Sequence, residues 1–256
     1  MNVVVCVKQI PDPAVPGELE SDHTLKREGK LILDESDSYG VEMALQLVDK
    51  AGGGEVTLIS MAPNSEVSGL RTALAMGAAK AILVSDGALA GADALTTAKV
   101  LARCVQRAGE IDLVLTATES TDGYTGTVPA QIAELLGWPS LTFAKQVEIE
   151  DGTATIQRQT EAGYDLVAAS LPAVVSVTAG VVEPRYPSFK GIMAAKSKPV
   201  DELTANDLNL SDAEIAPIQT ITTVVAAPAR EAGEKVEDDG AAFEKVVEFL
   251  DELKVI

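Results

Sequence analysis

An α/β fold built on a mostly parallel sheet is what this chain predicts, and three observations carry the prediction. Short apolar runs alternate with amphipathic segments through the first half. Runs such as 2–7 (NVVVCV) and 113–115 (LVL) show no polar alternation, as expected of strands covered on both faces. Hydrophobic residues make up 46% of the 256 while aromatics are only 4%, a composition that suits helices packed closely on a sheet. Finally, residues 116–139 pass from a strand end through small polar residues into an amphipathic helix, the joint at which open α/β sheets bind ligands.

Composition narrows the function classes. Lys and Arg total 20 against 39 Asp and Glu, a formal net charge of −19, which leaves no general basic surface for nucleic acid or anionic lipid. A single histidine, His23 in a polar loop, gives a His-based metal site or a Ser-His-Asp triad little to be made from. The two cysteines, Cys6 and Cys104, fall in a strand and a helix, a pattern of burial in a reducing compartment rather than of a disulfide framework. Neither a signal-peptide pattern nor a run of about 18 apolar residues is present, so a cytoplasmic protein without membrane insertion is expected.

In chain order, strand 2–7 leads into a loop, 8–30, holding Pro11, Asp12, Pro13 and Pro16; a loop of this length is either a binding surface or a flexible segment. Residues 31–33 add a short strand. Asp34, Ser36 or Asp37 can then cap a helix with Val41, Ala44, Leu45 and Val48 inward, which Gly52 to Gly54 stop. Strand 55–61, a helix marked by Val67, Leu70, Ala73 and Leu74, and strand 80–85 repeat the unit. Asp93 caps the next helix, with Ala98, Leu101, Cys104 and Val105 inward. The rhythm predicts a Rossmann-like parallel sheet with right-handed crossovers and helices on both faces.

The joint at 116–139 carries the site. Asp122, Gly123, Thr125, Gly126 and Thr127 have side chains short enough for the amides at the helix start to meet an anion directly. Val128, Ile132, Leu135 and Leu136 fall at i, i+4, i+7 and i+8, and Pro129 suits a first helical turn. A phosphate or ribose fits here; so does an ordinary strand-to-helix loop capped by Thr125 or Thr127.

The second half changes character. Residues 143–150 and 153–159 flank Asp151-Gly152 and read as a hairpin, with further strands at 164–170 and 173–178 extending the parallel core by antiparallel pairing. After Glu183 the segment EPRYPSFKGIMAAKSKP gathers Arg185, Lys190, Lys196 and Lys198 in an otherwise acidic chain, as either a solvated basic loop or a docking segment. From 201 the βα rhythm is lost through an apolar stretch at 218–227 and a charged linker at 230–239. A last helix with Phe243, Val246, Val247 and Leu250 on one face closes the chain. The expected organisation is a nucleotide-binding domain over 1–200, with a recognition loop at about 183–199, and a C-terminal arm and helix over 201–256 that either wraps a partner subunit or packs back.

The run 181–199 (VVEPRYPSFKGIMAAKSKP) resembles the signature of the beta subunit of electron transfer flavoproteins. Strand 2–7 running on into VKQIPD, the segment 70–78 (LRTALAMGA) and the central loop with Asp122 extend the resemblance over essentially all 256 residues. The resemblance implies a heterodimer with an FAD-carrying alpha subunit that accepts electrons from flavin dehydrogenases and hands them to a downstream oxidoreductase. It also implies that this chain binds AMP or, in electron-bifurcating members, a second FAD.

Carried over by resemblance, the nucleotide pocket is built from Cys6, Val7 and Lys8, from 34–37 with Asp34, Ser36 and Asp37, from Met61, and from the loop 117–128. In that loop, which also includes Thr118 and Gly123, Ala117 and Glu119 lie toward the purine, Asp122 toward ribose or pyrophosphate, and Thr125, Gly126, Thr127 and Val128 offer amides to phosphate. Many relatives have Gly and a long polar residue where Ala117 and Thr118 stand. The same resemblance makes Arg185, Tyr186, Pro187, Phe189, Lys190, Ile192 and Met193 the docking segment, with Phe189 either the anchor, a place often held by Leu in the family, or a core residue. The loop at 11–13 and the turn at Ser36 resemble the parts that approach the alpha-subunit flavin. The flavin would carry the redox chemistry, so no acid-base catalyst is expected in this chain. Two other functions compete: an ATP-using enzyme, which would need a Gly-rich loop that VKQIPDP lacks, and a homodimeric nucleotide sensor, which has no use for a cationic docking segment.

Overall fold

The computed structural model describes every residue except 226, 230, 231, 234 and 239, so parts of the stretches read at 218–227 and 230–239 lie outside the described residues. In chain order the elements are β1 (Asn2–Cys6), β2 (Gln9–Ile10), β3 (Ile32–Leu33), α1 (Glu35–Lys50), β4 (Glu55–Ala62), α2 (Ser68–Met76), β5 (Lys80–Ser85), α3 (Ala94–Arg107), β6 (Leu113–Ala117) and α4 (Val128–Leu136). There follow β7 (Ser140–Glu150), β8 (Thr153–Thr160), β9 (Gly163–Ser170), β10 (Ala173–Val177), α5 (Phe189–Ala195), β11 (Val200–Leu203), α6 (Asp212–Ile215) and α7 (Ala242–Glu252).

The main sheet runs β11-β5-β4-β1-β6-β10-β7-β8-β9, parallel from β11 to β7 and antiparallel across β7, β8 and β9. The chain winds outward from β1 in both directions, because β1 pairs with β4 on one side and β6 on the other. Strand alternation then divides the core into two layers. Val3 and Val5 join the side chains of α1 and α2 on one face, whereas Val4 and Cys6 join those of α3 and α4 on the other. Each fully buried valine of β1 contributes on the order of 1.5–3 kcal/mol to that double packing. At the hairpin, Asp151 (φ 48°) and Gly152 (φ 74°) both adopt the left-handed geometry that a tight two-residue turn requires.

Three local readings are corrected. The inner face of α4 keeps Ile132, with Val128 and Leu136 partly buried against the core, but it adds Pro129 and Ala133 and leaves Leu135 exposed, so the stripe is turned by part of a residue step. Neither Thr125 nor Thr127 caps α4. Thr127 sits at the N-cap with φ −104° and ψ −18°, a helical conformation that leaves its hydroxyl without a capping bond. The βα rhythm also does not end at 201, because β11 pairs in parallel with β5 and the apolar side chains of Leu203, Leu208 and Ile215 enter the α3 layer.

The chain divides into two compact units, Met1–Thr222 and Thr223–Ile256. The second unit contains α7, whose Phe243, Val246 and Val247 are exposed. Among the described residues no helix is long and apolar enough to cross a membrane, and no group of His, Cys, Asp and Glu is arranged to hold a metal.

Candidate functional site

A crevice of about 620 Å³ opens where β1, β4 and β6 finish. Its position follows from the winding. On either side of β1 the connections depart to opposite faces, leaving a gap beyond the carboxyl ends that no helix covers. Cys6, Val7 and Lys8 line it from β1, and Met61 and Asn64 from the end of β4. Ala117, Thr118, Glu119, Gly123, Thr125, Gly126 and Val128 line it from the loop between β6 and α4. Asp37 also reaches the wall, whereas Asp34, Ser36, Asp122 and Thr127 stand behind it.

The residues behind the wall shape it. Asp34, fully buried, accepts from the Ser36 amide at 3.1 Å and from the amide and hydroxyl of Thr121 at 2.7 and 3.1 Å, so one carboxylate both caps α1 and pins the central loop. Asp122 is paired twice. Lys8 Nζ donates to it at 2.6 Å and to Ser120 at 3.2 Å, while the Arg27 guanidinium holds its other oxygen. Burial works against the Asp122 charge, but Lys8 and Arg27 together hold its carboxyl below the usual carboxylate range. Asp37 behaves oppositely. Burial drives its carboxyl well above the ordinary value and the charges of Asp34 and Asp122 add to this, although the Lys8 amide donates to it. Two cations therefore flank Asp122 beside a crevice whose lining also carries Glu20, Glu28 and Glu119.

Several donors and acceptors at the rim lack partners. The amides of Thr125, Gly126, Thr127 and Val128 meet no acceptor among the described residues, as expected at the uncapped start of α4. Thr116, 5% exposed at the end of β6, leaves its buried hydroxyl without a hydrogen-bond partner while lining the crevice. A buried polar atom of this kind costs roughly 1–3 kcal/mol unless something in the crevice meets it. This donor set fits a nucleotide: free amides and two cations for phosphate, and a hydroxyl for a ribose or base edge.

Sequence reasoning missed part of the enclosure. Arg27, Leu89, Ala94, Leu101, Gln219 and Ile221 all line the crevice, and the loop 8–30 supplies a wall through Arg27 and Thr24. Thr24 comes so close to Gly91 that a Cβ there would lie 3.1 Å from its methyl group, which places the loop against the segment preceding α3. Cys6 faces the crevice as an uncharged thiol, since burial pushes its pKa far up; Cys104 is pushed up to about 12 by the same cause.

The docking segment stands apart from the crevice lining. Ser188 caps α5, and Tyr186 and Phe189 are 93% and 81% exposed, so Phe189 is not a core residue. Ile192, Met193 and Lys190 are exposed as well, with Pro187 half-buried. The cations divide into two kinds. Arg185 forms a two-pronged pair with Glu42, Nε to Oε2 at 2.6 Å and Nη2 to Oε1 at 3.0 Å, and Lys198 donates to the carbonyls of Leu74 and Ala78 near the end of α2. Lys190 and Lys196 are exposed and, among the described residues, make no ion pair or side-chain hydrogen bond. Burial opposes the Glu42 charge, and Arg185 outweighs it to keep that carboxyl below its usual range.

Fold and crevice together define a doubly wound α/β protein with a ligand site at the carboxyl ends of its parallel strands. The family described as "Electron transfer flavoprotein domain" matches residues 22–208. The electron transfer flavoprotein subunit beta of Mycobacterium tuberculosis (strain ATCC 25618 / H37Rv) is 41% identical over 264 residues, covering 100% of this chain and 99% of its own. That of Megasphaera elsdenii is 35% identical over 273 residues, with full coverage of both chains. The caffeyl-CoA reductase-Etf complex subunit CarD of Acetobacterium woodii is 37% identical over 215 residues, 82% of this chain and 81% of that one. The chain belongs to the electron transfer flavoprotein family, as a beta subunit. Membership makes it an electron-carrier subunit and implies an alpha-subunit partner.

Proposed function

We propose that the crevice holds AMP and that this subunit helps to position the FAD carried by an alpha subunit, so that electrons pass from flavin dehydrogenases to a downstream redox acceptor. The observation that carries the reading is the unpartnered Thr116 hydroxyl, which lines the same crevice as Lys8, Arg27 and the start of α4 with its free amides. The amides and cations would take the phosphate, and Asp122, held ionised behind the wall, would keep the cations in place. FAD supplies the redox chemistry when bound; this chain contributes binding, shielding and orientation. The division proposed is a nucleotide domain with its recognition loop, followed by an arm and α7 that wrap the alpha subunit. The exposed apolar residues of α7 support that role. A cytoplasmic location agrees with two free, buried cysteines.

A second reading is favoured by size. At about 620 Å³ the crevice falls mid-range for sites that enclose whole drug-sized ligands, so a second FAD is the competing occupant. Acid extraction of the purified heterodimer, with flavin and adenylate quantified per dimer, separates the two. One AMP and one FAD are expected. Two FAD and no AMP would establish the second reading, and one FAD with neither AMP nor further flavin would remove the site.

Phe189 and Tyr186, projecting at the start of α5 between Lys190 and the Arg185–Glu42 pair, support a docking role for 185–193. Phe189→Ala should lower kcat/KM for electron transfer about tenfold, the cost of losing one aromatic anchor of about 1.4 kcal/mol, with flavin content unchanged. Stopped-flow flavin reduction by the dehydrogenase reads this directly, and equal rates for the two proteins would exclude Phe189 as the anchor.

A further inference from the structure

Resting on the reading of the crevice as a nucleotide site, we infer that residues 217–221 form its closing wall, and that Asp93 is the positioning residue that clasps this strap in place.

The strap follows α6 and has no regular structure of its own. Among the described residues its only hydrogen bonds to the rest of the first unit run from the amides of Ile218 and Gln219 to Asp93 Oδ2, at 2.7 and 3.2 Å. The other oxygen of the same carboxylate, Oδ1, accepts from the Thr96 amide at 2.8 Å and caps α3. One side chain thus joins a helix start to a segment 125 residues later. Burial disfavours its charge, yet the amides of Thr96, Ile218 and Gln219 hold its carboxyl below the usual range, so the clasp persists across neutral pH.

What the clasp sets is a face of the crevice. Gln219 and Ile221 line it together with the apolar side chains of Leu89, Ala94 and Leu101. Without the strap this side would open to solvent, and a ligand could leave sideways past α3. The strap therefore governs how long a nucleotide stays, and Ile221 and Gln219 touch it.

The two functions of Asp93 can be separated by one substitution. Asn at an N-cap serves as well as Asp, so Asp93→Asn keeps the Thr96 bond. Its remaining group is an NH₂, a donor that faces two further donors and cannot hold the strap. In the heterodimer with its alpha subunit, nucleotide dissociation should quicken about tenfold, as expected when an interface is loosened rather than removed. Hydrogen exchange of 217–221 should quicken with it, while the melting temperature and alpha-subunit flavin stay near wild type. Asp93→Ala, which also uncaps α3, should show the same faster release and a lower melting temperature. A strap that exchanges faster while the nucleotide leaves at the wild-type rate would overturn the wall, and unchanged exchange would overturn the clasp. A wild-type heterodimer that holds no nucleotide and takes up neither added AMP nor added FAD removes the nucleotide reading itself, and this inference with it.

Discussion

Replacing Asp122 by Asn should empty the crevice and weaken the fold at once. The carboxylate is 9% exposed and compensates Lys8 and Arg27; Asn keeps its shape and removes its charge, leaving two cations facing each other. Losing one member of a buried charge cluster costs several kcal/mol at full burial. Lys8, at 38% exposure, recovers hydration, so a loss of about 2 kcal/mol is expected, read as a lower denaturant midpoint with unchanged slope. Nucleotide content should fall by about tenfold or more, since the loop that presents the α4 amides loses its tether to β1 and to the 8–30 loop. The pH dependence has a fixed sign. The folded carboxyl titrates below its unfolded value, so its contribution is complete above the ordinary carboxylate range and is lost as pH falls below about 4. The variant's stability should therefore fall less steeply through that acid window than wild type. A parallel acid limb in the two proteins would show that Asp122 contributes no net stability through its charge.

The second large effect is expected at Gly191. A Cβ built there would lie 2.4 Å from the Ala75 carbonyl oxygen, a distance real Cβ atoms do not adopt, because α5 rests its backbone directly on α2. Gly191→Ala must lift α5. The resulting overpacking should cost about 1–3 kcal/mol of stability. Since α5 carries Phe189, and Arg71 and Lys198 tie its C-terminal end and the residues after it to α2, the lift displaces the docking segment while leaving the crevice lining intact. Electron transfer from the dehydrogenase should fall at least as far as in Phe189→Ala, with nucleotide and flavin content retained. Wild-type transfer in a destabilised Gly191→Ala protein would separate docking from the position of α5.

The core strands were legible because each carries its own signal. An unbroken run such as VVVC has no polar residue for a solvent face, whatever lies around it. The central loop was legible for the same reason, its Gly and Thr residues being chosen by the local backbone. The phase of α4 was less so, since Val128 and Pro129 both suit an inner position and only the sheet beneath decides between them. β11 escaped notice because VDEL is only four residues long with two adjacent acids, a composition tolerated at the edge of a sheet, where one side meets solvent. Arg27 and the strap had no local signal at all. Arg27 meets Asp122 across 95 residues and Ile218 meets Asp93 across 125, and such pairings are set by where the folded chain returns rather than by the residues nearby.

The strand order also imposes a schedule. β1, first to be made, sits mid-sheet and waits for β4 on one flank and β6 on the other, while β10 slots between β6 and β7 only after the β8–β9 detour is complete. β11 closes the far edge after about 200 residues, and Ile221 follows last. At roughly 5–20 residues per second, on the order of ten seconds or more separate the first wall of the crevice from its final one. The crevice is thus closed only by the last residues of the first unit, just before the unit 223–256 is made.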